Sequence, residues 1–319
     1  MRKACMACHE PATIEGTFPA REMMFGSKDP FHYFCCPTCG TLTLLDPPTN
    51  FMPYYSPSSY YSVRDSGPLY SASWRRRLKT DSFLRSPRCI ATLTDRLPKQ
   101  WRLHTPVWLE WFRATGVSRS SRILDVGSGT GALLHKLAAD GFSSLRGVDP
   151  FIEASLATDD GVQIVKGELD VITSSFDLVM FHHSLEHMED PALHLTTARH
   201  LLSSTGKILL RIPVSDCWAF EHYRSDWVQL DPPRHQVLLT DDAVFRLARK
   251  CGYSVDRRYR DSSGFQIWGS ELYRRDVPLS DAQPSDYFTG KELADFETFA
   301  ADLNASTSGD QSVYILSPQ

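Results

Sequence analysis

The run Ile123-Leu124-Asp125-Val126-Gly127-Ser128-Gly129-Thr130-Gly131 constrains this chain more than any other stretch. An apolar strand leads straight into glycines at alternate positions, and a helical segment over 131–140 follows and stops at Gly141. Alternating glycines let backbone approach a ligand at a strand's end, and the new helix offers unpaired N–H groups there. The surrounding pattern agrees. Strands are expected at 122–126, 145–148, 162–165, 176–181 and 207–212, with late strands at 254–260 and 265–273. Helices are expected at 191–202, capped by Asp190, and from Thr240 to Gly252. Strands alternating with helices predict an α/β fold whose parallel sheet is covered on both faces.

Length and charge bound the rest. At roughly 150 residues per domain, 319 residues suggest about two domains. The formal net charge of −4 argues against a strongly cationic nucleic-acid binder. That charge is unevenly spread. The first 275 residues hold 33 basic and 30 acidic side chains, whereas 276–319 hold eight acids and a single base, Lys291. No apolar run approaches the roughly 20 residues of a membrane helix, and the N-terminus lacks the apolar core of a secretory signal. A cytoplasmic protein without membrane insertion is therefore expected. Oligomeric state leaves no trace in the sequence.

Five of eight cysteines fall in the first 39 positions. Cys5-Met-Ala-Cys8 and Cys36-Pro-Thr-Cys39 are two C-x₂-C pairs, which match a tetrahedral Zn²⁺ site, with Gly40 supplying the turn after the second. Structural zinc would provide folding energy to a segment of about 50 residues that has little core of its own. Two alternatives stand beside this. Cys8-His9 completes a C-x-x-C-H haem-attachment pattern, and Cys35 is an alternative ligand to Cys36. The expected layout is a zinc-binding module at 1–50, an aromatic linker with helices at 51–117, a main domain at 118–275, and an acidic tail at 276–319. The linker carries Tyr54, Tyr55, Tyr60, Tyr61 and Tyr70, a helix from Trp74 with the run Arg75-Arg76-Arg77, and a second helix capped by Thr105. In the tail, Leu293, Phe296, Phe299, Ala300 and Leu303 form a helical stripe suited to docking on the main body, while 304–311 reads as loose.

The glycine loop alone is ambiguous, because Gly127-Ser-Gly129-Thr-Gly-Ala132 also satisfies the dinucleotide fingerprint G-x-G-x-x-A. Three further features separate the readings. Asp125 stands two residues before the first glycine, where a carboxylate suits an ammonium group and is not required by a pyrophosphate. Asp149, 20 residues beyond Gly129, suits ribose hydroxyls in either reading, but Glu168 follows the third strand, where it could meet an adenine amino group. The fourth strand ends in the polar cluster His182-His183-Ser184-Leu185-Glu186-His187. With Leu201-Leu202-Ser203-Ser204-Thr205-Gly206-Lys207-Ile208-Leu209 after them, these motifs closely resemble class I S-adenosylmethionine-dependent methyltransferases across residues 120–273.

The resemblance implies a Rossmann-like doubly wound sheet, mostly parallel with an antiparallel last strand, beside a small zinc-ribbon-like module. It implies that Asp125 and the loop residues Gly127, Ser128, Gly129 and Gly131 hold the methionine part of S-adenosylmethionine. Asp149, followed by Pro150, would bind the ribose hydroxyls. Glu168, with the backbone near Leu169, would face the adenine. Phe181 and His182 would lie near the sulfonium. Residues 1–61 further resemble a bacterial group of methyltransferases associated with sugar, surface-polysaccharide or natural-product modification.

A methyl acceptor must be aligned and deprotonated. Histidines titrate near neutrality, so His182, His183 and His235, with Glu186 beside them, are the candidates for proton transfer. His235 lies in the segment 227–235, where Arg234 is a candidate for holding an anionic acceptor; His222 lies in the same insertion. A small-molecule or sugar-type acceptor is expected. A zinc-containing RNA base methyltransferase and a non-catalytic cofactor-and-zinc scaffold are the competing readings.

Overall fold

Three short strands open the chain: β1 (Thr17–Arg21), β2 (Pro30–Cys35) and β3 (Leu42–Leu44), paired antiparallel. The computed structural model describes residues 4–11, 16–55, 74–85 and 107–319. The expected Thr105 cap and Tyr60, Tyr61 and Tyr70 lie outside these residues. Helices α1 (Trp74–Arg85) and α2 (Val107–Thr115) come next. Then β4 (Arg122–Val126), α3 (Ala132–Asp140), β5 (Ser144–Asp149), β6 (Leu156–Ala157), β7 (Gln163–Lys166) and β8 (Phe176–His182) follow. Helix α4 (Pro191–His200) leads to β9 (Leu202–Pro213), α5 (Trp218–Tyr223) and the two-residue β10 (Val237–Leu238). The chain closes with α6 (Asp241–Lys250), β11 (Tyr253–Arg260), α7 (Phe265–Arg274), α8 (Pro284–Tyr287), α9 (Gly290–Ala305) and β12 (Gln311–Pro318).

Eight strands form one sheet in the order β11-β12-β9-β8-β4-β5-β7-β6. The five from β9 to β7 run parallel, and β12 lies antiparallel between β9 and β11. Alternate side chains of a strand point to opposite faces, and the core divides accordingly. Leu124, Val179, Phe181 and Leu210 face α4 and α6, whereas Ile123, Leu178, Met180 and Leu209 face α2 and α3. Among the described residues, no helix is long and apolar enough to cross a membrane.

Two expectations about the later chain are corrected. Residues 265–273 are not a strand but lie in α7, where Gly269 lets the helix backbone sit against the 228–230 turn. A Cβ at Gly269 would stand 2.8 Å from Val228 Cγ2, and Ser270 Oγ accepts from the Val228 N–H at 3.0 Å. The acidic segment after 275 is not a mere tail. Its last strand, β12, is buried along nearly its whole length, and Val313, Tyr314, Ile315 and Leu316 are fully buried. The amphipathic stripe does dock: Phe299 meets Trp218 edge-on at 5.0 Å, and Ala300 and Leu303 are buried.

The N-terminal strands do not stand apart either. Strand β10, from the segment between β9 and α6, pairs with β3, matching Val237 with Thr43 and Leu238 with Leu42. Tyr33, Leu42 and Leu44 share a buried cluster with Phe220, Trp227 and Leu230. This junction brings the 227–239 segment over the C-terminal ends of the parallel strands.

Candidate active site

Asp125 is the last but one residue of β4 and is 4% exposed. Its Oδ1 has no hydrogen-bond partner. Burial, and then the charge of Asp149, push its carboxyl up to about 8. An orphaned buried carboxyl costs free energy that a bound cation would offset. The glycine loop wraps directly over it. Gly127 has φ +75°, and a Cβ there would stand 2.5 Å from Ser184 Cβ, so only glycine fits this crossing.

The loop's own amides are mostly used within the protein. Gly127 and Ser128 N–H donate to the Val148 carbonyl at 2.8 and 3.3 Å. Gly129 N–H donates to Asp149 Oδ2 at 2.8 Å, and Gly131 N–H to the Ser128 carbonyl at 2.9 Å. A pyrophosphate cradle needs such amides free, so the dinucleotide reading of the loop loses its main contacts. Asp149 also accepts from Phe151 N–H at 2.8 Å. It therefore shapes the loop, and a carboxylate has further lone pairs for a ligand's hydroxyls. Pro150 is half-buried beside it. Glu168 is exposed at the end of β7, and Leu169 behind it is buried. The orphaned Asp125, the glycine crossing and the acids at two successive strand ends fit S-adenosylmethionine. Phe181 does not line this cleft with its side chain: it is fully buried in the core cluster, and the alternation of β8 turns His182 to the other face.

Beyond β8 the chain turns sharply. His183 has φ +54°, a left-handed conformation that is uncommon outside glycine and clusters at functional sites. Its Nδ1 lies 3.3 Å from Glu186 Oε1, and its Nε2 meets the Arg211 guanidinium. Burial, and then the Arg211 charge, hold the His183 imidazole well below the usual histidine range. Arg211 is fixed in turn by Asp261 Oδ2 at 2.7 Å, and it covers the Trp111 ring at 4.8 Å. The His182 ring lies tilted against Trp111 at 5.1 Å, and its Nε2 is without a partner.

The 227–239 segment closes the other side. His235 is 4% exposed, and its Nδ1 lies 2.6 Å from the Gln229 carbonyl. Its Nε2 is 4.0 Å from Glu186 Oε1. His187 packs edge-on against the His235 ring at 4.8 Å, and Tyr55 reaches His187 Nδ1 at 3.1 Å. His182, His183, Glu186 and His235 thus meet, as their sequence types suggested. Arg234 does something else. It is fully buried and holds Asp231 and Glu22 rather than facing a ligand or the surface. His222 stacks on Trp218 at 4.6 Å, away from the cluster.

Arg211, Asp261 and Trp111 escaped the sequence reading. Arg211 left one signal, a lone charge inside the apolar run Ile208-Leu209-Leu210-Arg211-Ile212. Asp261 left none, because the end of a distant strand brings it there.

The four cysteines converge at the other edge of the N-terminal module. Sγ of Cys5, Cys8, Cys36 and Cys39 all lie within 4.8 Å of one another, with Cys5–Cys39 at 3.5 Å and Cys8–Cys36 at 3.4 Å. Thiolates at about 2.3 Å from a tetrahedral zinc stand about 3.8 Å apart, so the set fits that ion. Both knuckles share one backbone design. His9 N–H donates to the Cys5 carbonyl at 2.9 Å, and Gly40 N–H to that of Cys36 at 2.8 Å. His9 and Gly40 both adopt positive φ, at +63° and +70°. His9 is therefore the closing residue of a knuckle, and its ring contacts Lys250 at 3.0 Å. Cys35 stands in β2 outside the group.

Sheet order, antiparallel closing strand and glycine loop together define a class I S-adenosylmethionine-dependent methyltransferase fold. The chain belongs to a methyltransferase-domain family, whose profile matches residues 96–257, a little over half of the 319 residues. No curated protein matches the sequence. Several solved structures are similar to the chain at low identity. The cyclopropane synthase MmaA2 of Mycobacterium tuberculosis is 15% identical over 65% of this chain and 82% of its own, with a TM-score of 0.42. An S-adenosylmethionine-dependent methyltransferase of Mesorhizobium loti is 17% identical over 66% of this chain and 96% of its own, TM-score 0.42. A chain from the Haloferax volcanii complex of the Trm112 activator with a methyltransferase is 15% identical over 75% and 97%, TM-score 0.46.

Proposed function

We propose that this methyltransferase moves a methyl group from S-adenosylmethionine to an oxygen or carbon of a small-molecule or sugar-type acceptor. The observation that carries this reading is the polar cluster directly after β8, where the half-buried His183 meets the buried Glu186 and His235 beside the glycine loop. The loop touches it through Gly127 and Ser184.

The cofactor supplies an electrophilic methyl group on a sulfonium. Asp125 holds its ammonium group, the 127–131 loop its methionine chain, Asp149 its ribose and Glu168 its adenine. The cluster of His182, His183, Glu186 and His235 takes the acceptor's proton, and Glu186 stabilises the positive charge that results. Trp111 and Arg211 fix the histidines and keep water away. The four cysteines bind zinc, which in a closed four-thiolate site has a structural part only. Four reduced thiols suit a reducing compartment, in keeping with the cytoplasm.

The test is transfer of labelled methyl to nucleotide sugars, lipid-linked glycans, amino acids or peptides, and RNA. Label in a sugar-type or small-molecule acceptor is the expected result. Label in RNA alone contradicts the acceptor class.

A further inference from the structure

We propose that Glu186, His187 and His235 form a divalent-cation site at the acceptor end of the cleft. One ligand atom from each lies within 4.8 Å of the other two. Ligands at roughly 2.0–2.2 Å from one ion stand about 3–3.6 Å apart, so side-chain shifts of about an ångström or less seat all three.

Three independent observations point to a cation. The first is the carboxylate. Glu186 is 2% exposed, and neither of its oxygens makes a hydrogen bond of good geometry, the nearest polar group being His183 Nδ1 at 3.3 Å from Oε1. A buried carboxylate left this way is costly, and a dication is its natural complement.

The second is the orientation of both imidazoles. His187 Nδ1 lies 2.9 Å from the Arg234 carbonyl, and His235 Nδ1 lies 2.6 Å from the Gln229 carbonyl. A carbonyl only accepts, so both Nδ1 atoms carry the hydrogen, with the Tyr55 hydroxyl 3.1 Å from His187 Nδ1 accepting beside the Arg234 carbonyl, and both Nε2 lone pairs are left for a ligand. Metal-bound histidines are held this way, with the remote N–H on a carbonyl or carboxylate.

The third is the neighbouring charge. Asp231 Oδ2 is 4.0 Å from His235 Nε2, but both its oxygens are bound by Arg234. Arg211 lies behind His183, which stands between it and Glu186. The three ligands thus carry one formal negative charge with no arginine paired to it.

Two imidazoles and one carboxylate suit a borderline ion such as Zn²⁺, Fe²⁺ or Mn²⁺ better than Mg²⁺ or Ca²⁺, and three protein ligands leave positions open. An acceptor hydroxyl on an open position loses its proton more readily. This deepens the proposed reaction, because His235 then acts as a ligand instead of a free base. The binding itself is read without any acceptor and stands or falls apart from the methyl-transfer reading.

The experiment uses the full chain, stripped of metal and titrated with Co²⁺. A four-thiolate site gives a thiolate-to-metal charge-transfer band; a His₂Glu site gives only weak ligand-field bands. Two equivalents are expected, one with and one without the thiolate band. Glu186→Gln is expected to keep the thiolate band and weaken the second site by at least about tenfold, since even outer-shell losses cost about 10–100-fold. Should Glu186→Gln fail to fold, His187→Gln is read the same way. A single equivalent in the wild type, or a second equivalent untouched by either variant, overturns the proposal.

Discussion

Arg234 Nε donates to Asp231 Oδ2 at 2.8 Å and its Nη2 to Asp231 Oδ1 at 2.5 Å, inside the protein. The same Nη2 reaches Glu22 Oε1 at 2.9 Å, so one buried guanidinium ties the N-terminal module to the segment that carries His235. Removing one partner of a buried pair leaves charge without compensation and costs about 3–5 kcal/mol. Arg234→Met is expected to lower stability by about that much in chemical denaturation. Stability unchanged from wild type would contradict the structural role.

Asp125 sets a pH dependence. Its folded-state carboxyl titrates at about 8, against an ordinary value of 3.8. Between those values the folded state binds the extra proton, so stability without cofactor falls as pH rises from about 4 to about 8. Pairing with the cofactor's ammonium favours the carboxylate, so binding near pH 7 is expected to release up to about one proton. Calorimetry in buffers of different ionisation enthalpy measures this, and Asp125→Asn is expected to abolish the release. Equal proton release in Asp125→Asn would remove Asp125 from this role.

Gly127 tests the loop. A side chain there must adopt φ +75° and overlap Ser184. Strain of this kind costs of order 1–3 kcal/mol. Gly127→Ala is expected to weaken binding of S-adenosylmethionine about tenfold or more in a calorimetric titration, with a smaller loss of thermal stability. Unchanged affinity would mean that the loop does not approach the cofactor.

The last strand is expected to be indispensable. Ending the chain at Asp310 removes β12 from between β9 and β11, exposing two strand edges and deleting five fully buried side chains. Such a chain should lose cooperative thermal unfolding. A truncated protein that unfolds cooperatively near the wild-type temperature would show the strand to be peripheral.

How legible all this was depends on distance along the chain. Local placement was the legible part: the glycine loop, Asp149 at a strand end, and the histidines at the end of β8 are each positioned within a few residues. Non-local pairing hid the rest. The uncharged stretch 311–318 looked like the end of an acidic tail, because its partners in β9 and β11 lie 52 to 108 residues earlier. Residues 265–273 read as a strand, whereas they lie in α7, whose Gly269 packs against Val228, 41 residues earlier in the chain. Arg234 read as a surface or ligand-facing charge because Glu22, the acid that joins Asp231 around it, lies 212 residues earlier in the chain.

The central claim is that the buried cluster after β8 handles the acceptor's proton beside a separately built cofactor cradle. Measuring both functions in His235→Ala tests it most directly. Affinity for S-adenosylmethionine is expected to stay within about twofold, while methyl transfer falls by about 10²–10⁴, the usual contribution of proton transfer. Undiminished turnover would contradict the account.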